Sequence, residues 1–282
     1  MVTTKPAGER SDRALRKTLI MGIVNATPDS FHETGRVQDP IAAREYAGAL
    51  LDNGADLIDI GGESSRPGAE PLPRDTELRR VLPILEALQP VAATLSVDTY
   101  HAETARRALR MGARMINDIT ALRGDPEMAG VIAEAGCNCI LMHMQGTPRT
   151  MQMAPRYDDV VDDICAFFEE RLAFAEAEGV REEAIWLDPG FGFGKSVEHN
   201  LTILRRLQEF TRFGRPLVIG TSNKSTIGKV LDLPANERVE GTAATVAIAI
   251  WNGADCVRVH DVKAMARVAR MTDAILGRGN YE

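Results

Sequence analysis

From residue 18 onward, short apolar runs alternate with longer amphipathic stretches along this chain. The runs at 19–24, 56–60, 93–97, 115–119, 138–143, 185–188, 216–220 and 255–259 have strand length and end in polar or turn-forming residues, which predicts eight buried strands. Between them, 40–53, 75–88, 101–111, 126–135, 158–178, 198–212, 239–252 and 262–276 repeat apolar residues at helical spacing. Eight strand and helix pairs predict an α/β chain folded as a single (β/α)8 TIM barrel. A doubly wound open sheet would also alternate, but its dinucleotide fingerprint is absent. The run ending Gly194-Lys195-Ser196 approaches a P-loop and fails, because Pro189 stands where that motif requires glycine. Residues 1–17 are polar and charged without period, so a flexible N-terminal tail is expected ahead of a barrel domain over 18–282.

Composition narrows the partners. The 282 residues are 44% hydrophobic, enough for one large core. A net charge of -7 argues against a general nucleic-acid binder, so an anionic substrate needs locally placed basic groups. No apolar run reaches the roughly 20 residues of a membrane span. Cys137, Cys139, Cys165 and Cys256 lie in apolar or amphipathic segments and read as reduced structural thiols, which with no legible secretory signal places the protein in the cytoplasm. The C-x-C pair Cys137 and Cys139 lacks a second Cys/His pair to complete a metal site.

The candidate chemistry sits where the strands stop: Asn25, Asp98, Asn117 and Asp118, His143, Asp188, Thr221 and Ser222, then Arg258 and His260. A barrel collects these tips on one rim. Any one of them could merely cap a helix; their accumulation points to a site. Asp98, Asn117 and Asp188 offer acceptors plus an amide, suited to the paired N–H groups on a heterocycle edge such as a pterin's. Lys224, Arg258 and His260 are donors suited to phosphate oxygens or a carbonyl, and period two puts Arg258 and His260 on one side of their strand.

Loops complete the rim. Residues 27–35 carry Phe31, His32 and two carboxylates in a segment suited to a lid. Residues 61–68 are glycine-rich and carry Arg66. In the run Leu187-Asp188-Pro189-Gly190-Phe191-Gly192-Phe193-Gly194-Lys195, a carboxylate at a strand tip precedes three glycines; Phe191 reads as core and Phe193 as facing a ligand. His143, flanked by Met142 and Met144, fits a packed or a catalytic role equally, and His32, His101 and His199 read as surface residues.

With these residues assembled, the chain resembles the dihydropteroate synthase family from residue 18 to 277. The resemblance rests on Met21-Gly22-Ile23-Val24-Asn25-Ala26-Thr27-Pro28-Asp29-Ser30-Phe31, on 61–68, on Ser96-Val97-Asp98-Thr99, Ile116-Asn117-Asp118-Ile119, 187–195, 222–225 and Arg258-Val259-His260-Asp261. It implies condensation of 6-hydroxymethyl-7,8-dihydropterin diphosphate with p-aminobenzoate to give 7,8-dihydropteroate and diphosphate, by an SN1-like route with Mg2+. It implies that Asp98, Asn117, Asp188 and Lys224 hold the pterin with Met142 and Arg258 against the ring. Asn25, Arg258 and His260 would hold the diphosphate, Asn25 also serving the metal. Phe31, Ser65, Arg66, Pro67, Phe193, Lys224 and Ser225 would form the p-aminobenzoate site, and Lys224, Arg258, His260 and Asp98 would carry catalysis. A homodimer through the last helices is implied as well.

Three positions depart from the family's usual pattern: Glu33 for an aspartate, Ser65 for a frequent threonine and Asn223 for a frequent arginine. Asn223 deletes a cation, which puts phosphate or loop contacts there in question, and Ser65 leaves sulfonamide sensitivity unread. Two other readings compete. A corrinoid-linked methyltetrahydrofolate methyltransferase shares the pterin-reading barrel but has no use for the p-aminobenzoate loops. A catalytically silent pterin-binding protein would not need Asn25, Lys224, Arg258 and His260 together.

Overall fold

A computed structural model describes residues 17–26, 39–66 and 68–279. The expected lid with Phe31, His32 and Glu33, together with Pro67 and all of the expected tail except Lys17, lies outside the described residues. Lys17 pairs with Asp56 at 2.6 Å.

The strands are β1 Leu19–Asn25, β2 Leu57–Gly61, β3 Thr94–Asp98, β4 Met115–Asp118, β5 Asn138–Met142, β6 Ile185–Asp188, β7 Val218–Ile219 and β8 Cys256–Val259. They form one sheet in the order β6-β5-β4-β3-β2-β1-β8-β7, with adjacent strands parallel. A parallel bridge between Leu187 and Leu217 joins β6 to the start of β7 and brings the ends of the sheet together. The helices are α1 Pro40–Asp52, α2 Arg74–Leu88, α3 Ala102–Arg110, α4 Met128–Ala135, α5 Val160–Ala177, α6 Val197–Arg205, α7 Ser225–Leu231, α8 Val239–Trp251 and α9 Val262–Ile275. The (β/α)8 barrel anticipated from the alternation is the architecture observed.

Strand alternation divides the apolar residues into two shells. Met21, Leu57, Met115, Ile140, Val218 and Cys256 fill the barrel interior, flanked by Leu19 and Trp186. Their neighbours in sequence, such as Ile20, Ile58, Ile116, Cys139 and Val257, face outward into the larger core beneath the helices. Period two therefore yields both an apolar plug and a helix-facing surface from one strand set. Above the plug the inward positions turn polar, at Asp59, Ser96, Asn117 and Arg258.

Polar caps start several helices. Asp39 accepts from the Ala42 N–H ahead of α1, Asp159 from Val161 and Asp162 ahead of α5, and Asp261 from Ala264 ahead of α9. Each satisfies amides that the first helical turn leaves without partners.

Three expected elements need correction. The strand placed at 216–220 shortens to β7, because Pro216 has no N–H to give a ladder and Gly220 contributes no packing side chain. The helix placed at 198–212 breaks after Arg205 into a 3-10 turn over Leu207–Phe213. Arg206 at the break binds Asp159 and Glu209, ties that a continued helix would have to rearrange. Helix α7 was not anticipated, since Ser225, Thr226 and Gly228 have weak helix propensity and only tertiary packing holds them helical. Two histidines also leave the surface role. His199 completes a capping box with Ser196 and packs edge-on to Tyr157, and half-buried His101 lies 3.3 Å from the Leu72 carbonyl. All four cysteines are buried free thiols.

Phe168 is fully buried where α5 meets the 3-10 turn, in edge contact with Phe210 and Phe213. Phe168→Ala should lower unfolding free energy by about 3–5 kcal/mol in urea titration, through lost burial and a residual cavity.

Candidate active site

Strand register builds the site before any loop is considered. Asn25 pairs with Gly61, Gly61 with Asp98 and Asp98 with Asn117, so four strands deliver one row at the C-terminal mouth. Across the barrel, Met142 pairs with Asp188. The expected pterin readers Asp98, Asn117 and Asp188 thus share the mouth because their strands end at matched heights.

Arg258 rises from β8 into this row. Its Nε donates to Asp59 Oδ2 at 2.7 Å and its Nη2 to Asp98 Oδ2 at 3.0 Å. Asn117 Nδ2 donates to the same Asp59 oxygen at 3.1 Å. Burial works against the arginine's charge, but Asp59 and Asp98 outweigh it and hold the guanidinium above its usual range. Burial also lifts the Asp98 carboxyl above the ordinary carboxylate range, against the pull of Arg258. Asp59 was not singled out from the sequence: within Leu-Ile-Asp-Ile-Gly it reads as one polar residue in a buried strand, with its partner Arg258 199 residues away. Its Oδ1 and the Ser96 hydroxyl are buried without a protein partner, a pairing suited to internal water.

The loop after β6 explains its own glycines. A Cβ on Gly190, at φ +69°, would collide with the His143 carbonyl oxygen, and one on Gly194, at φ +64°, would stand 2.7 Å from the Gln145 carbonyl oxygen. The loop lies directly against the backbone that leaves β5, a place no side chain can enter. Asp188 Oδ1 accepts the Gly190 N–H at 2.7 Å. Burial pushes the Asp188 carboxyl up to about 6, opposed by that N–H and by Lys224, Lys195 and Arg258.

Lys195 does not face the mouth. It is buried, with Nζ 2.9 Å from His143 Nδ1 and 3.0 Å from the Phe193 carbonyl. Burial lowers it to about 7. His143 therefore belongs to the packed alternative: burial, reinforced by Lys195, keeps it neutral, and Phe167 meets its ring edge-on. Phe191 is core, as expected.

Lys224 precedes α7 and reaches back over the loop, with Nζ 4.1 Å from the Phe193 ring centroid. Burial pulls this amine down to about 8, with Arg258 adding to the effect and Asp188 and Asp98 opposing it. Phe193 itself is nearly buried, in a cluster with Ile119, Met142, Met144 and Met151. Asn223 adopts the left-handed conformation at φ +57°, which asparagine tolerates, and its carbonyl accepts from Arg238 Nη1 at 2.9 Å. Arg238 thus braces this turn. His260 follows β8, its ring Nδ1 3.0 Å from Ser222 Oγ, and Ser225 is exposed.

The loop after β2 closes the far side. Ser65 is half-buried and Arg66 exposed, close enough to add its charge to the field on Lys224. Gly68 N–H donates to the Pro148 carbonyl at 3.0 Å, tying this loop to the one after β5. Between them opens a cavity of about 360 Å3, lined by Tyr100, Ile119, Met144 and Pro148 with Glu63 and Arg123. Phe31 and Pro67 lie outside the described residues. Among the described residues, Asp98, Asn117, Asp188, Lys224 and Arg258 gather at the mouth with Asn25 in the same strand row, Met142 beside Asp188, Phe193 against Lys224 and the Arg66 charge acting on Lys224. Sequence reasoning missed Glu77 along with Asp59; buried Glu77 receives the Thr99 and Thr104 hydroxyls at 2.9 and 2.6 Å and props the loops after β2 and β3.

A barrel whose mouth combines carboxylates, an amide and cations in this way matches the pterin binding enzyme model over residues 21–260, and the chain belongs to that family. Its relatives there are dihydropteroate synthases. The Synechocystis enzyme of that name is 47% identical over 262 residues, covering 92% of this chain and 91% of the relative. The Yersinia pestis dihydropteroate synthase solved with a sulfonamide drug complex superposes with a TM-score of 0.88 at 41% identity, covering 93% of this chain and 94% of that one. The Clostridium difficile enzyme solved in the presence of pteroic acid gives 0.86 at 45% identity, with coverages of 93% and 97%.

Asp188 gives a stability test with a definite sign. Its folded pKa of about 6 lies above the ordinary value of 3.8, so the protonated form suits the fold. That stabilisation is present below the unfolded pKa and is lost as pH rises through about 6. Asp188→Asn, which keeps an oxygen for Gly190, should be more stable than wild type at pH 7.5 by an amount on the order of 2–3 kcal/mol. Calorimetry should show the difference shrinking as pH falls toward 4.

Proposed function

We propose that this chain condenses 6-hydroxymethyl-7,8-dihydropterin diphosphate with p-aminobenzoate, forming 7,8-dihydropteroate and diphosphate. The observation that carries the reading is the gathering of Asp98, Asn117 and Asp188 at one mouth with the Lys224 and Arg258 cations, in a chain 47% identical to a dihydropteroate synthase. Pteroic acid, present with the Clostridium difficile relative, is a pterin joined to p-aminobenzoate through one methylene.

Asp188 accepts the paired N–H groups of the pterin's amino-pyrimidine edge, while Asp98, Asn117 and Lys224 hold the rest of its polar rim. Met142 and the Arg258 guanidinium pack against the ring faces. Asn25, Arg258 and His260 receive the diphosphate. Phe193, Ser65, Arg66, Ser225 and Lys224, with Phe31 and Pro67, bound the p-aminobenzoate pocket. The bond from the exocyclic methylene carbon to the diphosphate oxygen breaks first, its electron pair leaving with diphosphate. The aromatic amine's lone pair then attacks the methylene cation, and the amine proton passes to solvent. An arylamine is already a neutral nucleophile at neutral pH, so the protein's task is electrostatic. Arg258, His260 and Lys224 favour the departing anion, and Asp98 and Asp188 favour the cationic pterin.

The donor set fits Mg2+. Asn25 offers a hard amide oxygen at the mouth beside Asp98, and Mg2+ is commonly held by one or two protein oxygens plus substrate phosphates. When bound, the ion supplies charge neutralisation to the diphosphate.

The absence of a membrane-spanning helix among the described residues and the four free thiols support a cytoplasmic enzyme. Ile248 and Trp251 on α8 and Met271 and Ile275 on α9 are large apolar side chains left exposed, which supports a homodimer through these helices. Trp251→Glu should shift sedimentation from dimer to monomer.

The deciding assay supplies the pterin diphosphate, p-aminobenzoate and Mg2+ and follows dihydropteroate. Wild type should turn over, chelation should stop it, and Asp188→Ala should lose at least about 100-fold in rate. An inactive wild type would favour a silent pterin binder, and methyl transfer to a corrinoid protein would favour the methyltransferase.

A further inference from the structure

Asn200 belongs to no part of the machinery above, yet its side chain joins two of its loops. It sits in the first turns of α6 and is almost wholly buried. Its Oδ1 accepts the Gly192 N–H at 2.7 Å. Its Nδ2 donates to Thr226 Oγ1 at 2.9 Å and to the Ser196 carbonyl at 2.9 Å. The last bond, back along its own helix, holds the amide in one orientation. One planar group therefore clamps the backbone beside Phe193 to the helix that begins just after Lys224.

The two clamped segments meet in the pocket. Gly192, at φ +84°, lies so close to Lys224 that a Cβ there would stand 3.2 Å from Lys224 Cδ. Phe193 and Lys224 meet at 4.1 Å. The Gly192 N–H is buried and would be an orphan donor without Asn200. Asp188, in contrast, is placed by the register of β6 against β5, which does not pass through Asn200.

We infer that Asn200 is a positioning residue that sets the width of the p-aminobenzoate pocket by locking the Phe193 loop to the Lys224-Ser225-Thr226 turn, so that its loss falls far more heavily on p-aminobenzoate than on the pterin, which Asp98, Asn117 and Asp188 also hold. This rests on the proposed function for the identity of the pocket's occupant. Aspartate keeps the acceptor for Gly192 but turns a second acceptor toward Ser196, and alanine loses every tie. Valine at 226 removes the hydroxyl with little change in shape.

Steady-state kinetics on Asn200→Ala, Asn200→Asp, Thr226→Val and the Asn200→Ala/Thr226→Val pair test the inference. Asn200→Ala should raise KM for p-aminobenzoate about tenfold with KM for the pterin diphosphate within about twofold, and Thr226→Val should give a smaller rise of the same kind. The double variant should be no worse than Asn200→Ala, because both changes open one clamp. Asn200→Asp should fall between wild type and alanine. Equal rises in both KM values, or an unchanged p-aminobenzoate KM in a folded variant, would overturn the inference. Hydrogen exchange of 190–194 gives a readout that needs no substrate, and it covers the case in which Asn200→Ala does not fold. Thr226→Val should speed exchange there, and unchanged exchange would also overturn the inference. An inactive wild type with faster exchange in Thr226→Val would count against the proposed reaction and leave the clamp standing.

Discussion

The site is organised by a guanidinium held between two carboxylates inside the barrel. Arg258 leaves β8 and is fixed by Asp59 from β2 and Asp98 from β3, so three strands agree on the position of one cation. Withdrawing these charges from water is costly, and it is tolerated because the fork geometry of arginine lets Nε and Nη2 satisfy separate acids. Asn117 adds a third bond to the group, to the same Asp59 oxygen. Without this lattice the polar row would be a set of mutually repelling acids over an apolar plug.

Burial then sets the chemistry of the other groups. Asp188 is raised and Lys224 lowered mainly because both lie away from water, and each partly restrains the other. Such a site is strained electrostatically, and its cost is carried by the helix-facing shell, where Phe168, Leu85 and Ile116 are fully buried. Stability and function are thus segregated by the same two-residue alternation: outward positions build the core and inward positions near the mouth carry charge.

The rim depends on a further layer of contacts that never face the mouth. Lys195 and His143 fasten the glycine loop to β5, Tyr157 and Gln152 hold the Gly194 and Gly192 carbonyls, and Asn200 ties the loop to α7. Glu77 and Tyr100, the latter bound to Glu63, perform the same service under the loops after β2 and β3. A flat, polar-edged ligand needs walls held at fixed spacing, and loops acquire that rigidity only through such buried ties.

Much of this was legible in the order of residues. Eight apolar runs, each ending in a polar or turn-forming residue, determined the barrel and the rim, because the period of a strand and the direction of parallel strands leave few other ways to bury those runs. Asp98, Asn117, Asp188, Lys224 and Arg258 could be named because each stands at a strand tip or just beyond it. Asp59 and Asn200 could not: each is one polar residue in a buried or amphipathic element, and its partners lie 199 and 26 residues away. The same limit hid the packed partnership of Lys195 with His143, and it hid α7, whose weak helix formers need neighbours to stay helical. Sequence alone determined which chemistry could gather at the mouth. Only tertiary structure decided which groups are held in place and which do the holding, because that depends on long-range contacts and on exclusion of water.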